Sequence, residues 1–395
     1  MKAVIIAAGE STRTHPLTVD MPKPLLKVAN KEIIRHNMES LAGLVEEFII
    51  VVGFRKEMVM ESLGAEFMGR PVVYVEQKER LGTGHALLQA EKHAKGRTMV
   101  LMGDDLYGKK DMERCARHDN CVLAKEVSDP EKFGVFILKD GKVADVIEKP
   151  KKHVGNLANT GFYMFSPAIF GELKKIKKSE RGEYELTDAV KLLASHAPVA
   201  CEMAEDYWLP IGYPWHLLEA NGLLLQRMKP AQEGTIEPNT VLKGNVSVGG
   251  GTIIRSGSYI EGPVAIGEGC DIGPNCFIRP STSIGNRCRV GNGVEVKNSI
   301  LMDGVKIGHL SYFGDSIIGS NASIGAGTIA ANLRHDGSNV KTKIKGCIVD
   351  TGRRKFGAVI GSGARTGINT SIYPGRKIWP NRTTLPGEII REDRM

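Results

Sequence analysis

Aromatic residues make up only 6% of the chain, with three tryptophans, and no long apolar run occurs. No stretch approaches the roughly 18 apolar residues that cross a membrane. The run Val4-Ile5-Ile6-Ala7-Ala8 is too short for a signal-peptide core. Membrane insertion and export are therefore not expected, and a cytoplasmic protein is. Seven cysteines are an odd number and none form a Cys-x-x-Cys pair. That argues against a disulfide framework and against a zinc cluster. The net charge is +8, but the basic residues are dispersed, with no block of five or six and no aromatic platform between them. Nucleic acid is a poor fit; small phosphorylated partners are a better one. The P-loop and dinucleotide fingerprints are both missing.

What the chain does have is length and glycine: 395 residues and 46 glycines. The length predicts two domains with ample core. Up to residue 228, Val4–Ala8, Phe48–Val52, Val72–Val75 and Met99–Met102 read as buried strands. Helical periods lie between them at 33–44, 56–63 and 85–94. Such alternation predicts a doubly wound α/β domain on a mostly parallel sheet. Phe133–Glu148 reads as a hairpin turning at Lys139-Asp140-Gly141-Lys142, and 215–228 as a helix. Residues 229–235 read as a linker.

From residue 236 the period becomes six. Ile236, Leu242, Val248, Ile254, Ile260, Ile266, Ile272, Ile278, Ile284, Val290, Val296 and Met302 recur at that interval. Small or β-branched residues, Cys270, Cys276 and Cys288 among them, sit four places after these aliphatics. Neither a helix nor an ordinary strand repeats every six residues, whereas a parallel β-helix does. The three cysteines are therefore core residues. The register fails around 302–318 and is absent from 332 to 355, a segment rich in Lys and Arg. That segment reads either as a solvated charged loop or as a flap meeting phosphate or CoA groups of a neighbouring subunit.

Three features carry candidate chemistry. The loop Ala7-Ala8-Gly9-Glu10-Ser11-Thr12-Arg13 follows a buried strand and can aim backbone N–H groups at a phosphate. Arg13 and Lys23 add charge suited to a leaving pyrophosphate, although two surface cations would look the same. Asp104 follows the fourth strand, where open α/β sheets bind ligands, and one Asp with nucleotide phosphates suits Mg²⁺. His309, in a glycine-flanked break of the repeat, is a candidate general base.

With Pro22-Lys23, the opening loop resembles that of the sugar-1-phosphate nucleotidyltransferases. Gln77 with Leu81-Gly82-Thr83-Gly84-His85-Ala86 resembles the base-reading segment of the N-acetylglucosamine-1-phosphate uridyltransferases. Phe133-Gly134, Glu148-Lys149-Pro150, Asn159-Thr160-Gly161 and Gly182-Glu183-Tyr184-Glu185-Leu186-Thr187-Asp188 follow in that family's order. The resemblance implies nucleotide binding by Ala8, Gly9, Gln77, Gly82 and Thr83, and Mg²⁺ at Asp104. It implies sugar binding by Gly134, Glu148 and Asn159, with Lys149 near the phosphate. Ser11 stands where that family has a second glycine. Pro210 stands where it has a second acidic metal ligand, and Asp206 lies nearby.

Gly308-His309-Leu310-Ser311-Tyr312-Phe313-Gly314-Asp315, Ile324-Gly325-Ala326-Gly327-Thr328 and Asn332 resemble the acetyltransferase half of the bifunctional uridyltransferase/glucosamine-1-phosphate acetyltransferases. Arg279-Pro280 and Glu295-Val296-Lys297 lie upstream at the family's spacing. The resemblance implies a left-handed β-helix, a homotrimer, and His309 taking a proton from the attacking amine. Arg279 and Lys297 would hold the sugar phosphate, Tyr312 and Asn332 the sugar, and Ala326 and Ser362 the CoA. Ser323 stands where the bacterial pattern has Asn. Lys341 is the nearest cation to the position of a further bacterial Lys. The implied activity is acetylation of an amino-sugar 1-phosphate by acetyl-CoA, followed by uridylylation with UTP. Two alternatives are a glucose-1-phosphate uridylyl- or thymidylyltransferase with a structural β-helix, and an acetyltransferase with a degenerate first domain.

Overall fold

In the computed structural model, which describes residues 1–395, backbone contacts divide the chain into two compact units. The first comprises Met1–Glu10 and Ile33–Pro210, the second Ser11–Glu32 and Ile211–Met395. This differs from a division at residue 228. The helix Pro214–Arg227 packs on the repeat that follows it: Asn221 donates to the Ser281 carbonyl at 2.9 Å, and Asn245 to the Met228 carbonyl at 2.7 Å. Lys27 likewise pairs with Asp303 at 2.7 Å, and Asn30 donates to the Ile284 carbonyl at 2.8 Å. A change of period marks where the backbone alters its repeat. It does not mark which core a flanking helix covers.

A ten-stranded sheet forms the centre of the first unit. Lys2–Ala7, Glu47–Val52, Arg70–Glu76 and Thr98–Met102 are parallel neighbours, as their continuous aliphatic runs imply. Val4, Ile6 and Ala8 share a core with helices Thr83–Gln89, Ala168–Leu173 and Leu186–Ala194, while Ala3, Ile5 and Ala7 are buried on the other face. The rest of the sheet corrects the expectation of a mostly parallel arrangement. Leu157–Phe165 runs antiparallel to Thr98–Met102 and to Cys121–Glu126, and the hairpin Gly134–Lys139/Lys142–Glu148 is antiparallel by construction. The two-residue connection Asp140-Gly141 leaves that hairpin no room for a crossover helix. The sheet is mixed.

The second unit is a parallel β-helix of three sheets. Its first face starts at Thr235–Ile236, its second at Val241–Lys243 and its third at Val246–Val248. Each strand pairs with the strand one coil later, so Val246 meets Val264 and Val264 meets Thr282. The six-residue aliphatics, from Ile254 to Ile284, stack as a buried column with Cys270, Cys276 and Cys288. Each such aliphatic contributes about 1.5–3 kcal/mol. Left-handed residues turn the corner between the first and second faces: Asn239, Gly257, Asn275, Gly293, Leu310 and Gly327. Asn and Gly suit that conformation; leucine does not. Leu310 immediately follows His309, so strain sits beside the candidate base.

The six-residue count fails one step earlier than the sequence suggests. Leu301, not Met302, stacks on Ile284. The coil drops one residue at Lys297-Asn298-Ser299 and again at Gly314-Asp315-Ser316, both at the corner between the second and third faces. One coil further on, the same corner opens into the insertion. That insertion is an ordered hairpin rather than a loop, although its Lys and Arg side chains are mostly exposed. Lys341–Ile344 and Cys347–Asp350 form a hairpin, and Val340, Thr342 and Phe356 are buried. Thr342 donates to the Gly375 carbonyl at 2.7 Å. Lys377, 2% exposed, donates its ammonium to the Lys343 carbonyl. Burial pushes Lys377 down to about 8 and the Asp393 carboxyl beside it up.

Candidate active sites

In the first unit, Gln77 and the Gly82–His85 turn are assembled by the Gly182–Leu186 segment. Buried Gln77 donates to the Gly82 carbonyl at 3.1 Å and lies 3.1 Å from His85 Nδ1. Tyr184 N donates to the Leu81 carbonyl at 2.7 Å, and Gly84 N to the Tyr184 carbonyl at 2.9 Å. Leu186 N donates to Thr83 Oγ1 at 3.2 Å. Gly82 has φ 106°, and a Cβ there would sit 2.6 Å from the Tyr184 oxygen. Only glycine fits. Ala8, at the end of the first strand, accepts from Phe54 N at 3.1 Å, and Gly9 is exposed just beyond it.

Gly134, Glu148, Asn159 and Thr187 converge on one point. A Cβ on Gly134 would lie 2.9 Å from Glu148 Oε2, 3.3 Å from Thr187 Cγ2 and 3.5 Å from Asn159 Cβ. Burial pushes the Glu148 carboxyl up, and Arg181, 3.2 Å from Glu148 Oε1, pulls it back. Asn159 is oriented at both ends, accepting from Gly161 N at 2.9 Å and donating to Tyr163 Oη at 2.6 Å. Lys149 is exposed beside Glu148 with φ 44°. Arg181 was not anticipated; its signal was its place immediately before the Gly182–Asp188 motif.

Asp104 and Asp105 follow the strand Thr98–Met102, and both press on the buried Tyr107 phenol, whose pKa burial already raises. Trp208–Leu209 pairs with Leu106–Tyr107, which brings Pro210 opposite Asp105. Asp206 lies at the other end of this bridge, packed on Gly108 with its N–H on Asp111 at 3.1 Å. No group of three His, Cys, Asp or Glu stands ready to cage a metal. One carboxylate fits an ion that completes its shell with water and phosphate oxygens, which is the habit of Mg²⁺.

Arg13 and Lys23 belong to the second unit. The Arg13 guanidinium lies 5.4 Å from the Tyr213 ring centre, and Lys23 is buried at the start of a short 3-10 turn. Ser11 takes the left-handed conformation, φ 55°, that a glycine would adopt freely.

The second constellation lies on the second face of the β-helix, at the shortened corner. Arg279 precedes Lys297 by one coil, and Lys297 pairs with Gly314. Arg279 meets Glu295 at 2.8 Å, and Glu295 is the register partner of Tyr312. Gly314 leaves room for the tyrosine: a Cβ there would fall on Tyr312 Oη and 2.5 Å from Asn332 Nδ2. Asn332 donates to Tyr312 Oη at 3.3 Å and to Asp315 at 2.6 Å, while Asn298 donates to the other Asp315 oxygen at 2.6 Å. Burial is the main cause lowering the Lys297 ammonium, with Lys355 and Arg279 acting alongside. Burial also raises the Tyr312 phenol. Asp315 and Asn298 were not anticipated as organisers, because the lost residue that stacks them is visible only in the strand register.

His309 is exposed at the corner before Tyr312, its carbonyl held by Gly327 N at 3.2 Å and Ser311 Oγ at 2.8 Å. Ala326 lies at that same corner one coil on. Ser362 lies at the corner between the third and first faces. One chain therefore does not bring Ala326 and Ser362 together.

A nucleotidyl transferase family model matches residues 2–227, and a GMPPB C-terminal domain model matches residues 260–352. A "Bifunctional protein GlmU" from Methanococcus maripaludis is 42% identical over all of this chain and 95% of its own length. A "Bifunctional sugar-1-phosphate nucleotidylyltransferase/acetyltransferase" from Sulfurisphaera tokodaii is 39% identical, covering all of this chain and 98% of its own. Among solved structures, a UDP-glucose pyrophosphorylase complexed with UDP-glucose is 25% identical, with a TM-score of 0.53, over 57% of this chain and 99% of that one.

Proposed function

This chain belongs to the bifunctional sugar-1-phosphate nucleotidylyltransferase/acetyltransferase family, and from that premise we propose that it acetylates glucosamine 1-phosphate and then uridylylates the product. The convergence of Arg279, Lys297, Tyr312 and Asn332 on one corner carries this reading. A β-helix used only for assembly has no need of two half-buried carboxamide–carboxylate bonds beside half-buried cations.

In acetyl transfer, the sugar amine attacks the thioester carbonyl and CoA leaves as its thiolate. His309 takes the proton released by the amine. Arg279 and Lys297 hold the phosphate, and Tyr312 and Asn332 fix the sugar. In nucleotidyl transfer, a phosphate oxygen of the sugar attacks the α-phosphorus of UTP and pyrophosphate departs. Gln77 and Gly82 read the base, and Ala8, Gly9 and Thr83 complete the nucleotide contacts. Gly134, Glu148 and Asn159 seat the sugar, with Lys149 near its phosphate. Arg13 and Lys23 are carried over as the cations of pyrophosphate departure. Mg²⁺ on Asp104 supplies charge neutralisation when bound.

The coil is read as left-handed, the assembly as a trimer and the location as cytoplasmic. Exposed Leu310, Ile329, Ile368 and Leu385 support self-association, since free apolar surface of this kind is normally covered. A neighbouring subunit would also unite Ala326 with Ser362 along one CoA. Ile368→Glu with Leu385→Glu is expected to reduce the sedimentation mass from three chains to one; an unchanged mass would remove this face from the interface.

The rival reading, an acetyltransferase with an inactive first unit, is favoured by Pro210 alone. Pyrophosphate release from N-acetylglucosamine 1-phosphate with UTP and with dTTP separates the two readings. Release with UTP supports the bifunctional account, and no release with either nucleotide supports the rival.

A further inference from the structure

The insertion brings a further cation, Lys355, beside Lys297. Its two ends are zipped together: Leu333 bridges Lys355, and Phe356 N donates to the Asn332 carbonyl at 2.9 Å. The returning chain then runs hard against the shortened corner. Gly357 N donates to the Asp315 carbonyl at 2.9 Å, and a Cβ on Gly357 would collide with Ser316 Oγ and the Gly314 oxygen. Gly314 is the register partner of Lys297. Backbone bonds on both sides therefore fix Lys355 beside Asn332 and Lys297. Its ammonium is near enough to Lys297 to help hold that group below its ordinary value.

The charges at this corner are unbalanced. Arg279, Lys297 and Lys355 face two carboxylates, both already engaged. Glu295 accepts from Arg279 at 2.8 Å, and Asp315 accepts from Asn298 and Asn332. Holding ammonium groups together costs free energy unless an anion joins them. Lys341 takes no part: it lies on the outer side of the hairpin, and its carbonyl accepts from Arg376 at 2.9 Å.

We propose that Lys355 is the third phosphate ligand of the acetyl-transfer site, and that it makes this site select an amino-sugar 1-phosphate over the unphosphorylated amino sugar. The proposal rests on the acetyltransferase reading above. Its test is steady-state kinetics on the full-length chain and on Lys355→Ala and Lys355→Arg, with glucosamine 1-phosphate and glucosamine as acceptors. Lys355→Ala is expected to raise KM for glucosamine 1-phosphate about 10-fold or more. The KM for acetyl-CoA and the rate with glucosamine stay unchanged, and Lys355→Arg restores most of the loss. A raised KM for acetyl-CoA instead would assign the lysine to the CoA phosphates and overturn the proposal. An equal loss with both acceptors would reduce it to a structural role. An unchanged KM in an active Lys355→Ala protein overturns the Lys355 proposal alone. No CoA release from the unsubstituted chain overturns the acetyltransferase reading, and this proposal with it.

Discussion

Replacing His309 by alanine is expected to slow CoA release from acetyl-CoA and glucosamine 1-phosphate by about 10²–10⁴-fold, the range a positioned general base supplies. Pyrophosphate release from UTP and N-acetylglucosamine 1-phosphate should not change. The first expectation follows from the place of His309, exposed at a strained corner in the coil that carries Tyr312. The second follows from the contacts of the nucleotide-reading turn. Gln77 bonds to Gly82, and Tyr184 bonds to Leu81 and Gly84, all within the first unit. His309 holds no core position, so the variant should fold normally. Loss of both activities would defeat the two-site account.

The converse substitution is Gly82→Ala. An alanine there must accept φ 106° and place its methyl 2.6 Å from the Tyr184 oxygen and 2.9 Å from Tyr184 N. The turn has to move, and Gln77 moves with it because its amide is bonded to the Gly82 carbonyl. A displacement of about 1 Å at a positioned nucleotide costs on the order of 10²-fold in rate. Pyrophosphate release should fall by that amount, and CoA release should persist. A Gly82→Ala enzyme with full nucleotidyl transfer would show that this turn does not hold the base. The two variants together form a double dissociation.

The sequence made some layers of this structure legible and hid others, for identifiable reasons. The aliphatics Ile254, Ile260 and Ile266 announce the β-helix because one inward residue per face is a geometric requirement. Cys270, Cys276 and Cys288 declare themselves core residues by the same logic, and all three are buried. Strand direction was not legible: Leu157–Phe165 is as apolar as a parallel strand yet runs antiparallel on both sides. The corner that gathers Lys297, Tyr312 and Asn332 was hidden as well. A one-residue deletion shifts the count from Met302 to Leu301, both apolar, so the pattern passes over it unmarked. The position of Lys355 depends on the Leu333 bridge that closes the insertion, a pairing across irregular chain that no local propensity encodes.

Other residues were legible in type but not in partner. Glu148 and Asn159 stood out within their motifs, whereas Arg181 on Glu148 and Tyr163 on Asn159 emerge only from the sheet. Pro210 was visible as a departure. The structure adds that Asp206 packs on Gly108 with its backbone N–H on Asp111, a placement no local pattern shows.

The central claim is that one chain carries two working transferase sites. The most direct measurement supplies purified protein with Mg²⁺, acetyl-CoA, glucosamine 1-phosphate and UTP, and follows CoA and pyrophosphate in the same reaction. The account predicts CoA first, pyrophosphate after a lag, and equal final amounts, because the acetylated sugar phosphate feeds the second reaction. CoA release without pyrophosphate, even when N-acetylglucosamine 1-phosphate is added directly, would contradict it.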